Sequence, residues 1–238
     1  MLSAVVPADE QERLQALHDL SILDTGREQA YDDMTQLAAQ ICGTPVSAVT
    51  FVDHDRQWFK SSVGFLPDST DREVSFCAHT ILDTDIFEVR DARRDPRFAD
   101  NPLVVGDPFI RFYAGVPLRT ITGRSVGALC VIDHRPRRLN DDQREALSAL
   151  ARSVSHFLEL RQATRRLQES LHDLKTLSGL IPICMHCKNI RSDAGYWKSV
   201  ERYVENNSTA RFSHCICPTC LEQYYGDLEA DRSELSPN

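Results

Sequence analysis

Nowhere do the 238 residues hold an apolar run of the ~18 side chains a helix needs to cross a bilayer, so no membrane span is expected. The first residues, Met1 to Pro7, lack the charged n-region and apolar stretch of a secretory signal, which points to a reducing cytoplasm. Positive charge is also in deficit. The 27 Lys and Arg are outnumbered by 35 Asp and Glu, for a formal charge of −8. An acidic surface gains nothing from counterion release, which argues against nucleic acid and anionic lipid as general partners. Arg161, Arg165 and Arg166 are interleaved with Glu159 and Glu169 and read as a solvated helix face. No internal repeat, glycine-rich phosphate loop or paired nucleophile and base is visible. Nor is there a kinase, cyclase, phosphodiesterase or helix-turn-helix pattern. From these absences the chain reads as non-catalytic, an expectation tested below.

What is present is patterned like an α+β protein. Leu14, Leu17, Leu20 and Ile22 recur at helical spacing over 8–22, and Tyr31, Met34, Leu37, Ala38 and Ile41 do so over 28–42. Asp24-Thr25-Gly26 breaks the two. The β-branched run Pro45 to Val52 predicts a strand, turning at Asp53 to Arg56 into a partner over Gln57 to Val63. Residues 72–83 predict a short helix and Ile86 to Val89 a short strand. Arg90 to Pro108 holds three prolines and predicts a long irregular loop of the kind often kept for function. Two more strands follow, Arg111 to Arg119 and Ser125 to Asp133. Hairpin-length links at both ends imply a largely antiparallel sheet.

From Asn140, with Gln143 as capping partner, a helix runs on without Pro or Gly. Its apolar positions are Leu147, Leu150, Val154, Phe157, Leu160, Leu167, Leu171, Leu174 and Leu177, with polar Thr164 between and a stammer at 154–160. The stripe predicts a dimeric coiled coil in preference to a helix folded back on its own domain.

Three of the eight cysteines, Cys42, Cys77 and Cys130, sit in apolar patterns as small buried hydrophobes. The other five crowd between Cys184 and Cys220. Cys184-x-x-Cys187 and Cys217-x-x-Cys220 can offer four thiolates at tetrahedral corners, for which zinc is the default ion and iron or an iron–sulfur cluster the alternative. His214 is the alternative ligand, and Cys215 is a spare thiol. Trp197, Val200, Tyr203, Val204 and Phe212 make so slight a core that the segment needs a metal staple to fold.

Residues 9–155 closely resemble the GAF domain superfamily. The resemblance is carried by Asp53-x-x-Arg56-Gln57-Trp58-Phe59-Lys60-Ser61, Ser75-Phe76-Cys77-Ala78-His79, Asp95-Pro96-Arg97-Phe98, Arg111 to Leu118 and Gly127 to Asp133. It implies an antiparallel sheet of five or six strands with helices on both faces, a small-molecule pocket between sheet and long loop, and dimerising terminal helices. Cys77 and His79, facing Arg111 and Tyr113, are the candidate ligand-binding residues. The patterns of GAF proteins that reduce free methionine sulfoxide, or attach a bilin, are lacking around Cys77 and Cys130. Ile183 to Arg191, Gly195-Tyr196-Trp197 and Phe212 to Cys220 resemble a cysteine-rich module that follows GAF, PAS or receiver domains in bacterial signalling proteins.

The expected organisation is a GAF sensor domain with N-terminal helices over 1–139, a long signalling helix over 140–180, a metal-stapled module over 181–226 and a disordered acidic tail over 227–238. The expected function is a cytoplasmic, non-catalytic sensor or adaptor that reads a small molecule or redox state. It would be a homodimer through 141–178, pass its output to a protein partner, and hold a structural zinc. The alternative is a redox or metal sensor with the thiolate cluster as its input.

Overall fold

A computed structural model describes residues 2–64, 67–177, 182–191, 195–207, 211–213 and 215–230. The chain divides into two units, Met1–Ser170 and Leu171–Asn238. No described helix is long and apolar enough to cross a membrane.

In the first unit, helices α1 (Glu10–Asp19) and α2 (Gln29–Cys42) fall where the apolar periodicity puts them. Helix α2 stops at Gly43, whose φ of 61° is a left-handed conformation that costs glycine little. There the Gly43 and Thr44 N–H groups donate to the Gln40 and Ala39 carbonyls, closing the helix end. Strands β1 (Val46–Val52), β2 (Arg56–Val63), β3 (Ser69–Asp71), β4 (Phe87–Val89), β5 (Phe112–Arg119) and β6 (Ser125–Asp133) form one sheet in the order β3-β2-β1-β6-β5-β4. Every neighbouring pair is antiparallel, as hairpin-length links predict. Between β3 and β6 the chain forms α3 (Phe76–Thr80) and α4 (Pro102–Val105). Sequence reasoning missed β3, and left α4 inside an irregular loop.

Strands β1 and β6 are central and buried on both faces, so their side chains feed two cores alternately. Val49, Phe51, Leu129 and Val131 point to the α1, α2 side; Ala48, Val52, Ala128, Cys130 and Ile132 point to the α3 side. Gly127 is required where β6 passes β1, because a Cβ there would collide with the Thr50 carbonyl.

Helix α5 (Asp141–Leu177) begins at a reciprocal capping box. The Gln143 N–H donates to Asn140 Oδ1 at 2.8 Å, and the Asn140 N–H to Gln143 Oε1 at 3.1 Å. Its buried stripe is Leu147, Ala151, Val154 and Leu158, packed on Leu17, Phe51, Phe112 and Leu129 of its own domain. This differs from the predicted seam. With Leu158 carrying the register, the apparent stammer disappears, and Val154 is engaged at home. The reason is that a covalently attached sheet face takes an apolar stripe without the entropy of association. Further along, Leu160 and Leu167 are 66% and 61% exposed. The side chains of Leu171, Leu174 and Leu177 lie outside the described residues, as does the backbone of 178–181.

Arg161 is not a solvated helix charge. It donates to Glu28 Oε1 at 2.9 Å and to the Leu20 and Ser21 carbonyls at 3.2 and 3.1 Å. Lys60, buried in β2, donates to the same Glu28 oxygen at 2.7 Å and to Thr25 Oγ1 and the Gly26 carbonyl. One carboxylate thus joins the sheet, the α1–α2 connection and α5.

The second unit has a hairpin of β7 (Ile190–Arg191) and β8 (Trp197–Lys198), then α6 (Val200–Asn207) and α7 (Pro218–Ala230). Among its described residues Ile190 alone of the hydrophobics is buried, while Tyr196, Trp197, Phe212, Ile216 and Tyr224 are exposed. The predicted tail overlaps the end of α7 at 227–230, and 231–238 lie outside the described residues.

Candidate functional site

The candidate site lies on the α3 side of the sheet, and local chemistry builds its cover. The helix predicted over 72–83 divides at Ser75, whose Oγ accepts the Ala78 N–H at 3.0 Å as the cap of α3 and also donates to Gln57 Oε1. Asn101 caps α4 by accepting the Leu103 N–H at 2.9 Å, and its Nδ2 donates to the Val74 carbonyl at 3.0 Å. That second bond stitches the long loop to the approach of α3. Phe76 and Phe98 stack with centroids 4.0 Å apart, and Phe76 meets the Tyr113 ring at 5.2 Å.

Under this cover is a cavity of about 250 Å³. Phe59, Pro67, Phe76, Leu103, Pro108, Ile110 and Ile132 make it mainly apolar, and Gln57, Thr70, Cys77, Asp107 and Tyr113 supply its polar groups. A concave apolar site with few polar groups binds small molecules chiefly by shape and desolvation.

Behind one wall lies a buried polar cluster. The Tyr113 hydroxyl donates to Cys77 Sγ at 3.2 Å and stands 2.6 Å from Thr80 Oγ1; Cys77 Sγ is 3.9 Å from Cys130 Sγ. Burial disfavours a Cys77 thiolate, but hydrogen bonds from Cys130, Thr50 and Tyr113 outweigh it and hold its pKa below that of an ordinary thiol. Cys130 is pushed well above the thiol range by its bond with Cys77 and by burial. The Tyr113 hydroxyl is pushed up by burial and by the neighbouring sulfurs. Gly115 is needed beside this cluster, since a Cβ there would overlap the Tyr113 hydroxyl and press on Thr80 Oγ1.

The four candidate residues separate in the structure. Cys77 and Tyr113 come together on the cavity wall. His79 does not line the cavity. It meets Phe98 edge-on at 4.8 Å and stacks on Phe87 at 6.1 Å, and burial together with Arg97 lowers its pKa. Arg111 turns away as well. Its Nη1 donates to the Val104 and Ile110 carbonyls at 2.7 and 3.0 Å, holding α4 closed. Sequence reasoning missed Gln57, Phe59 and Thr70. Two-residue alternation along β2 would have placed Gln57 and Phe59 together on the face opposite Trp58.

The second unit's thiols are free. Cys184 is half-buried, and Cys187, Cys215, Cys217 and Cys220 are exposed. Around Cys184 the chain forms a tight knuckle, with the Lys188 N–H donating to the Cys184 carbonyl at 3.0 Å and Lys188 at φ 61°. Hydrogen bonds from the Cys187 and His186 backbone lower the Cys184 pKa, and those from Cys220 lower that of Cys217. Among the described residues no three His, Cys, Asp or Glu side chains are gathered to hold a metal, and His214 lies outside them.

Comparison with known proteins bears on both fold and activity. Cyclic di-GMP phosphodiesterase PA2567 of Pseudomonas aeruginosa is 44% identical over 137 residues, which are 58% of this chain and 23% of the relative. The chain thus spans under a quarter of that curated relative's length. The GAF domain of an Acinetobacter phosphoenolpyruvate-protein phosphotransferase is 18% identical with a TM-score of 0.47, covering 64% of this chain and 93% of that one. The blue-light-absorbing GAF domain of Thermosynechococcus elongatus PixJ is 15% identical with a TM-score of 0.49, covering 71% and 98%. The first of these corrects the expectation of a strictly non-catalytic sensor or adaptor, because a relative 44% identical over 137 residues is named as an enzyme. Missing motifs could not exclude catalysis, because function resides in sites grafted on a fold and not in the fold itself. The GAF domain family model matches residues 26–158, more than half of the sequence, and the chain belongs to the GAF domain family.

Proposed function

We propose that the first unit is a sensory domain whose cavity takes up a small, largely apolar molecule and thereby governs a cyclic-dinucleotide phosphodiesterase activity. The observation that carries this is the 250 Å³ cavity, apolar on most sides and polar at Tyr113 and Cys77. The phosphodiesterase output rests on the Pseudomonas relative, which is 44% identical over 137 residues of this chain. Thermal unfolding of the full chain across a panel of small aromatic and aliphatic compounds tests the input. A compound that raises the midpoint for wild type, and not for the cavity-filling Ile132→Phe, supports it. Incubation with cyclic di-GMP and chromatography of the products tests whether the chain itself turns over the dinucleotide.

For the second unit the reading is a structural zinc held by Cys184, Cys187, Cys217 and Cys220, with His214 as alternative ligand and iron or an iron–sulfur cluster as alternative occupant. The two Cys-x-x-Cys spacings and the tight turn around Cys184 support ligation. Exposed Leu160 and Leu167 on α5 are the residues through which the helix would join a second copy. The exposed aromatics of the second unit are the surface a protein partner would cover.

A further inference from the structure

We propose that Cys77 and Cys130 form a thiol–disulfide site that reacts with a small peroxide admitted by the cavity. A buried cysteine is ordinarily an inert small hydrophobe. Three observations set this pair apart. The sulfurs, 1% and 0% exposed by residue, stand 3.9 Å apart though they come from α3 and β6. The Tyr113 hydroxyl donates to one of them at 3.2 Å. That one, Cys77, lines the cavity, whereas Cys130 sits behind it.

The arrangement assigns the roles. Hydrogen bonding leaves Cys77 the more acidic thiol, and the thiolate is the nucleophile. Cys130, kept protonated, is the resolving partner. The Cys77 thiolate attacks one peroxide oxygen and the O–O bond breaks. The departing hydroxide takes up the proton Cys77 gave away, leaving water and a sulfenic acid on Cys77. The Cys130 sulfur then attacks the Cys77 sulfur; the S–O bond breaks, the S–S bond forms, and hydroxide leaves with the Cys130 proton as a second water. Two thiols lose two electrons and the peroxide gains them. Closing 3.9 Å to the ~2.05 Å of a disulfide asks each sulfur to move by about 1 Å. The product would tie the α3 cover to the central strand β6. Tyr113 is a positioning residue here, acting through the Cys77 sulfur.

The inference shares its cavity with the sensory reading and rests on it only for entry of a small molecule. The experiment treats reduced full-length chain with hydrogen peroxide, alkylates the remaining thiols and maps all eight cysteines by peptide mass spectrometry. The expected result is a Cys77–Cys130 cross-linked peptide pair that dithiothreitol reverses. Cys130→Ser should stop at a sulfenic acid on Cys77, trapped by dimedone, and Cys77→Ser should leave Cys130 reduced. Tyr113→Phe should slow loss of the Cys77 thiol several-fold. The proposal is overturned if both thiols of wild type stay alkylatable at peroxide levels that oxidise Cys184 and Cys187. It is equally overturned if Cys77 cross-links to a cysteine other than Cys130. Ligand-induced stabilisation that survives such a result would leave the sensory reading standing.

Discussion

The two units hold aromatic residues to opposite ends. In the first, Phe51, Phe76, Phe98, Phe112 and Tyr113 are buried between a six-stranded sheet and its helices. In the second, Tyr196, Trp197 and Tyr224 face outward, and the five cysteines are half-buried or exposed. A sheet with two covered faces is stable by burial alone, whereas a few dozen residues with one buried hydrophobic among those described need another source of free energy.

The largest break in this comparison is expected from Cys184→Ser or Cys217→Ser. Structural zinc binding contributes on the order of 10 kcal/mol in units of this size. Either change should render 182–230 sensitive to limited proteolysis while the first unit's melting midpoint stays put. Full metal stoichiometry in Cys217→Ser would sink the four-thiolate site. Next in size is Leu158→Ala, which removes a fully buried side chain beneath α5 and should cost about 2–5 kcal/mol in denaturant unfolding. Leu160→Ala, two residues on, should cost no more than about 0.5 kcal/mol in the monomer. A concentration-dependent midpoint abolished by Leu160→Ala would instead identify a helix pair.

Neither of those tests was legible in the register of α5. A stripe at spacings of three and four identifies a buried helix face but not its partner, and the choice between Phe157 and Leu158 depends on where the sheet lies. The strands were easier. Pro45 to Val52, rich in β-branched residues, and Ser125 to Asp133, joined to its predecessor by a short turn, were both read as strands, and each became a central strand. The cavity was half legible: Cys77 and Tyr113 belong to it, but Arg111 satisfies the Val104 carbonyl of α4, which no one-dimensional pattern reveals.

A smaller effect sharpens the comparison through pH. Burial raises the Glu10 pKa, but bonds from Arg13 and Arg72, at 2.7 and 2.5 Å, bring it down to about 2 from an ordinary 4.5. A carboxylate lowered on folding adds stability that is complete above its unfolded pKa and lost as pH falls through the folded one. The first unit should therefore lose stability progressively between pH 4.5 and about 2. Glu10→Gln should flatten that slope in acid titrations followed by circular dichroism. Glu28, lowered by Lys60 and Arg161 against burial, likewise adds stability that is lost as its carboxylate is protonated in acid.

A modest effect is also expected from Arg161→Lys. It keeps the charge but loses the fork that reaches Glu28 and two carbonyls together, at a cost of about 1 kcal/mol by chemical denaturation.

By itself the sequence determined the two N-terminal helices of the first unit, five of its six strands and the antiparallel sense of its sheet. Those properties follow from periods of two and 3.6 and from turn chemistry, which act over a few residues. Tertiary structure alone decided that α5 packs home through Leu158, that Arg161 and Lys60 share Glu28, and that Cys77 meets Cys130. Each is a contact between residues dozens of positions apart, set by which sheet face is left to cover. No local pattern encodes that choice.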